Sequence, residues 1–172
     1  KVVPGVADTG LAPVAGITWR EAAMYCNWLH NNKSSDLAAI MSGAYDVATF
    51  GQNGPNFTDQ LVHSPGAKFW IPNLDEWLKA SFYDPHRFGA EQEGWWRYGI
   101  TSDTAPIPGA PGVGQTMAGV PRPPTGDEFD RNWLIPLGAY ADVRSPWGLF
   151  DVYGGGAEWL EDAWPWPSEP TD

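Results

Sequence analysis

The sequence predicts an α+β, loop-rich domain with two short helices, short antiparallel strands and a single core over residues 1–172. Three observations carry that expectation. Thr18 to Glu21 and Asn73 to Glu76 are capping-box patterns, each followed by apolar residues at helical spacing. Seventeen Pro and twenty Gly interrupt the rest of the chain, which excludes long regular elements. Eleven Trp supply the large side-chain area that can hold such loops together. At 172 residues a second independent core would be crowded.

Taken in order, residues 1–16 alternate small apolar side chains with Pro4, Gly5, Gly10 and Pro13, an extended lead-in with turns. Thr18 then opens the first helix, its hydroxyl accepting from the Glu21 N–H while the Glu21 carboxylate reaches back to the Thr18 N–H. Ala22, Tyr25, Cys26 and Leu29 form one apolar face that ends near His30, and Cys26 on that face reads as a buried thiol. Periodicity fades from Lys33 to Pro65, where an excursion with one short hairpin or helical turn is expected. Residues 67–72 read as a short strand stopped by proline. Asn73 caps the second helix, which Asp84-Pro85 closes.

Beyond that helix, Gly94 and Gly99 bracket an aromatic cluster, Trp95, Trp96, Arg97 and Tyr98, that either packs inward or offers a stacking face. Residues 105–124 are dominated by Pro and Gly and predict a long surface loop. Short strands are expected at 133–135, 138–140 and 147–152. The run Gly154, Gly155, Gly156 lets the backbone turn sharply or approach another segment closely, so something must pack against it. Glu158 follows with aromatics on both sides, which predicts a carboxylate in a partly dry setting. The adjacent acidic pairs, Glu161-Asp162 among them, read as caps or solvated faces.

Lys and Arg number 10 against 21 Asp and Glu, and the formal charge of −11 disfavours nucleic-acid phosphates and anionic lipid surfaces. No apolar run is long enough to span a membrane. Cys26 is the single cysteine, which excludes an intrachain disulfide and a cysteine-based metal cluster within these residues. There is no nucleophile elbow, phosphate-binding loop or zinc-protease helix motif.

With these elements in order, the chain resembles the formylglycine-generating-enzyme, or sulfatase-modifying-factor, family. Pro13-Val14, Ile17-Thr18-Trp19 and Ala22 to Leu29 look like that family's opening block. Phe69 to Trp77 resembles its second, with Trp70 where arginine is usual and Asn73 in a threonine position. Gly138 to Tyr140 and Ser145 to Asp151 are similar to a third. Gly154 to Trp159 matches the family's glycine turn, with Gly155, Gly156 and Ala157 in place of Asn, Val and Trp. The wording of several blocks is closest to secreted or surface-anchored bacterial members, which implies an extracellular, cell-surface or periplasmic location.

The resemblance implies a C-type-lectin-like fold of the formylglycine-generating-enzyme type. It also implies a chain incomplete at both ends, lacking an N-terminal strand and helix and a C-terminal strand with the copper-binding cysteine pair. No catalytic residue carries over. The family's calcium site implies Asn132, Gly155 through its carbonyl, and Glu158 as ligands here, weakened because Gly155 lacks the usual Asn side chain.

The function expected first is a noncatalytic extracellular or cell-surface module presenting loops to a protein or glycan partner, or to an assembly, with Trp95, Trp96, Arg97 and Trp166 as binding residues. The alternative is a copper-dependent formylglycine-generating oxidase acting on a cysteine in a peptide, its catalytic cysteines lying beyond Asp172. An iron-dependent sulfoxide-synthase relative ranks last, because His30, His63 and His86 form no ligand pattern.

Overall fold

The computed structural model describes residues 9–14, 16–120, 135–154 and 156–162. Its regular elements are helices α1 (Trp19–His30) and α2 (Leu74–Phe82) and four two-residue strands, β1 (Gln52–Asn53), β2 (Asn56–Phe57), β3 (Tyr83–Asp84) and β4 (Gly94–Trp95). Three single turns of 3-10 helix, Thr9–Leu11, Leu37–Ile40 and Val47–Thr49, complete the set. This is the α+β, loop-rich arrangement expected. The chain forms two compact units, one of residues 16–75 with 158–172, the other of residues 1–15 with 76–157.

In the unit of 16–75 and 158–172, α1 starts as its sequence dictates. Thr18 is extended at φ −83°, its hydroxyl accepts from the Glu21 N–H, and the Glu21 carboxylate accepts from the Thr18 N–H at 2.6 Å. That backbone bond is the main reason the Glu21 carboxyl sits below its ordinary range. The buried face of α1 differs from the expected one: Ala23, Cys26 and Asn27 are buried, while Tyr25 is 57% exposed and lies against Trp28. Asn27 causes the rotation. Its amide donates to the carbonyls of Ile40 and Tyr45 and accepts from the Tyr45 N–H, bonds that fix the following excursion to the helix. Ala44, Tyr45 and Ile71 close the core around Ala23 and Cys26, with Trp19 edge-on to Tyr45 at 5.2 Å.

Where one short hairpin or helical turn was expected, the excursion holds a hairpin and two turns of 3-10 helix. Asp36 and Asp46 each accept from the N–H two residues on and start the two 3-10 turns. Strands β1 and β2 pair antiparallel around Gly54-Pro55, where φ of +60° at Gly54 suits a two-residue hairpin turn. Arg20 anchors this hairpin through two bonds to the Asp59 carboxylate and one to the Gly51 carbonyl.

Residues 67–72 are not a strand. Their backbone partners are side chains and loops: the Lys68 N–H goes to the His30 ring and the Ile71 N–H to the Tyr45 hydroxyl, while the Pro72 carbonyl accepts from the Glu161 N–H. Among the described residues no strand pairs with them. Helix α2 begins at Leu74, one residue after Asn73 as expected, and the Leu74 N–H is met by the Asp162 carboxylate.

The unit of 1–15 and 76–157 is built on α2, the antiparallel pair β3–β4 with Tyr83 opposite Trp95, and pinned loops. The Pro/Gly segment folds back on itself, Gly109 N–H to the Thr116 carbonyl and Gln115 N–H to the Ile107 carbonyl, and the Tyr140 hydroxyl donates to the Gly109 carbonyl. Gly109 and Gly114 approach so closely that a Cβ on Gly114 would lie 2.5 Å from the Gly109 nitrogen. The strands expected at 138–140 and 147–152 are turns instead. Gly138 has φ +73° and donates to Asp151, and residues 145–149 wrap around Ser145, which accepts from Gly148 and donates to Leu149. Of the strand expected at 133–135, residues 133 and 134 lie outside the described residues.

Cys26 is buried, as its place in the helical pattern predicts, and removal from water pushes its thiol up to about 11. Because the folded value lies above the unfolded one, the stability this provides is present below about pH 9 and is lost as pH rises toward 11. We expect Cys26 to resist a thiol reagent at pH 8 in the folded protein and to react at once in denaturant. Rapid labelling before unfolding would contradict the buried assignment.

Candidate functional site

Two groups of side chains stand out, one in each unit. In the unit of 16–75 and 158–172, the Glu161 carboxylate is 4% exposed and collects three donors on Oε1. The Tyr45 hydroxyl donates at 2.6 Å, and the His63 backbone N–H and ring Nδ1 both lie at 2.9 Å. A carboxylate acceptor assigns the proton to Nδ1 of that ring. Tyr45 is fully buried, and its hydroxyl oxygen also accepts from the Ile71 N–H. Desolvation first, and the bond to Glu161 second, push the Tyr45 phenol far above its ordinary range. His63 stacks on Trp70 at 4.5 Å.

Around Glu161, residues 159–162 are each tied to other segments of the unit. The Trp19 indole donates to the Leu160 carbonyl, the Trp159 indole to the Ile17 carbonyl, and Asp162 receives the first N–H of α2. This constellation has the polar satisfaction of a structural lock, with buried donors and acceptors paired. The one thiol nearby, Cys26, is itself buried, with its proton held.

The dry carboxylate that the aromatic flanks predicted at Glu158 is Glu161, three residues on. Glu158 is exposed. Nearby protein still displaces enough water to hold its carboxyl above the ordinary range, but solvent reaches the residue, so we take it as a surface group. Asn132 and Gly155, the other implied calcium ligands, lie outside the described residues, as does Trp166. Among the described residues no cluster of three or more His, Cys, Asp or Glu side chains could hold a metal ion.

In the other unit, β3 and β4 set out an aromatic surface. Trp95 is 52% exposed and leans on Tyr83, the ring centres 5.3 Å apart and tilted by 59°. Trp147, also 52% exposed, lies nearly parallel to Tyr83 at 6.4 Å, and its indole N–H is anchored on the Lys79 carbonyl. The Tyr83 hydroxyl donates to Glu93, the bond that chiefly raises its phenol above the ordinary range.

The neighbours of Trp95 have other duties. Trp96 is half-buried, its indole N–H on the Asp84 carboxylate at 3.0 Å and the Arg87 guanidinium over its ring. Asp84 is held below its ordinary range by the His86 N–H and then by that indole. Arg97 is exposed, with its guanidinium over Tyr98 and its N–H on Asp103. Of the expected binding set, Trp95 presents a free face, Trp96 is structural, and Tyr83 and Trp147 join Trp95 instead. The pairing of Tyr83 with Trp95 was hidden because it depends on a hairpin with nine residues, 85–93, between its two strands.

A depression in the same unit is lined by Gly99, Gln115, Tyr140, Asp151 and Tyr153. No described helix is long and apolar enough to cross a membrane.

Comparison with known proteins finds no match among the curated sequences and none among the solved structures. Residues 3–169 match the sulfatase-modifying factor enzyme 1-like domain. The match runs through both units and takes in α1, α2, the Glu161 lock and the aromatic surface, and the chain belongs to the sulfatase-modifying factor enzyme 1-like domain family.

Proposed function

We propose that this chain is a noncatalytic binding module on a C-type-lectin-like scaffold of the formylglycine-generating-enzyme type. It acts outside the cell, at the cell surface or in the periplasm, on a protein or glycan partner or in an assembly. The observation that carries this reading is the pair of half-exposed indoles, Trp95 and Trp147, each pinned by internal contacts and each turning a face to solvent. Rigid, exposed aromatic side chains are the residues that dominate binding energy at protein surfaces. A structural calcium ion held through Glu158 is part of the same reading, and a melting midpoint that falls on adding chelator is its expected sign.

Family membership supports a second reading, the copper-dependent oxidase. That reading takes its copper-binding cysteine pair from beyond Asp172, because within residues 1–172 the single cysteine lies in the apolar core with its proton held.

The test has two arms. Incubated with a cysteine-containing peptide, copper and oxygen, the 172-residue chain is expected to form no aldehyde. On an array of proteins and glycans, binding is expected to weaken about tenfold in Trp95→Ala with the fold intact by circular dichroism. Aldehyde formation by this chain, or binding indifferent to both indoles, would remove the reading.

A further inference from the structure

The geometry points to a neutral, pyranose-based glycan as the ligand of the Trp95–Tyr83–Trp147 surface, an assignment that rests on the binding-module reading. The three rings are not one flat strip. Trp147 and Tyr83 are within 23° of parallel, while Trp95 is tilted by 59° to Tyr83. The surface is an angled corner that can stack on the face of one sugar ring and meet the edge of the next.

The axial C–H groups of a pyranose carry slight positive charge and suit the negative face of an indole. Both indoles are pre-organised, Trp147 by its bond to the Lys79 carbonyl and Trp95 by the strand pairing of β4 with β3. Little side-chain entropy is therefore lost on binding.

The polar groups decide between classes of ligand. An extended proline-rich peptide would need donors on the aromatic residues to hold its carbonyl oxygens. Two such donors are already committed internally, the Trp147 indole N–H to Lys79 and the Tyr83 hydroxyl to Glu93. The rim offers the Glu93 carboxylate, exposed and fixed by Tyr83, as an acceptor and the exposed Lys79 ammonium, 5.7 Å from the centre of the Tyr83 ring, as a donor, a combination that suits sugar hydroxyls.

Charge complementarity narrows the class further. Of the nearby cations, Arg87 is bonded to Asp103 and lies over the Phe88 and Trp96 rings, and Lys79 lies over the Tyr83 ring, 5.7 Å from its centre. With a formal charge of −11, the chain repels uronate and sulfated polymers. Neutral hexose polymers meet none of these objections.

Affinity electrophoresis of the full 172-residue chain tests this, with hydroxyethylcellulose, laminarin and mannan as neutral probes, heparin as an anionic one, and a proline-rich peptide measured by fluorescence anisotropy. Retardation by at least one neutral polysaccharide is expected, reduced about tenfold in Trp95→Ala and in Trp147→Ala, partly kept in Trp95→Phe, and lowered in Glu93→Ala. Urea midpoints of the same variants separate lost binding from lost folding. Retardation by none of the neutral probes overturns the glycan assignment, as does retardation by heparin alone. If the peptide binds through the same indoles instead, the glycan class falls and the module reading stands. If nothing on the protein and glycan array depends on either indole, both fall.

Discussion

Glu161→Ala is expected to destabilise the protein by about 3–5 kcal/mol, the cost of stripping a buried, multiply bonded charge from its partners. Three donors lose their acceptor at once: the Tyr45 hydroxyl, the His63 N–H and the His63 ring. Tyr45 is fully buried, so water does not replace the lost bond. Against a typical total stability of about 5–15 kcal/mol, a loss of that size leaves a marginal fold. Urea unfolding measures it, and a change below about 1 kcal/mol would mean the cluster is not a lock.

Glu161→Gln separates charge from shape. Its amide oxygen can still accept from Tyr45 and the His63 backbone, while its NH₂ faces the protonated Nδ1 or loses it, so about 1–3 kcal/mol is expected. The second readout is local. Segment 158–162 is held by the Glu161 carboxylate, the Trp19 and Trp159 indoles, and the Glu161 N–H on the Pro72 carbonyl. Amide exchange in that segment should rise in Glu161→Ala before the α1 amides lose protection.

Gly154→Ala should cost about 2–5 kcal/mol, from two sources that add. Its φ of +78° is a left-handed conformation that a Cβ disfavours by about 1–2 kcal/mol. The new methyl would also stand 1.9 Å from Thr116 Oγ1 and 3.0 Å from the Ala118 Cβ. Thr116 is 2% exposed, and its hydroxyl already accepts from the Ala118 N–H, so it has nowhere to retreat, and overpacking adds about 1–3 kcal/mol. Gly156→Ala is the control. Nothing lies within 4 Å of its built Cβ, and a change within about 0.5 kcal/mol is expected. Equal effects at 154 and 156 would mean that general turn flexibility, not the approach to Thr116, is what the glycine run provides.

That run was a feature whose purpose the sequence could announce but not complete. Three glycines in succession require a close approach or a left-handed turn, and Gly154 makes both. Which residue it approaches, Thr116, is 38 positions away and carries no mark in the sequence. The case of Glu158 and Glu161 is sharper. Aromatic neighbours signalled a dry carboxylate in the right segment, but at Glu158, while Glu161, read with Asp162 as a cap or solvated face, is the buried one. Only the approach of Tyr45 and His63 selects the second. Asp162, read as a cap or solvated group, does cap a helix, but α2, at a separation of 88 residues.

Legibility therefore followed the distance along the chain over which a partner must be found. The capping box of α1 and the burial of Cys26 were readable because their causes lie within one or two turns of backbone, whereas the hairpin was expected only somewhere between Lys33 and Pro65 and its place at Gly54 came from the structure. Asn27 shows the limit within a helix. It lay off the expected apolar face of Ala22, Tyr25, Cys26 and Leu29, and an amide is stable in the core there only because Tyr45 returns to bond both its ends. The bond from Tyr45 to Glu161 closes 116 residues and that from Trp19 to Leu160 closes 141. Closing loops of that length is an entropic cost that the whole core offsets together, so no local stretch of sequence encodes which ends will meet.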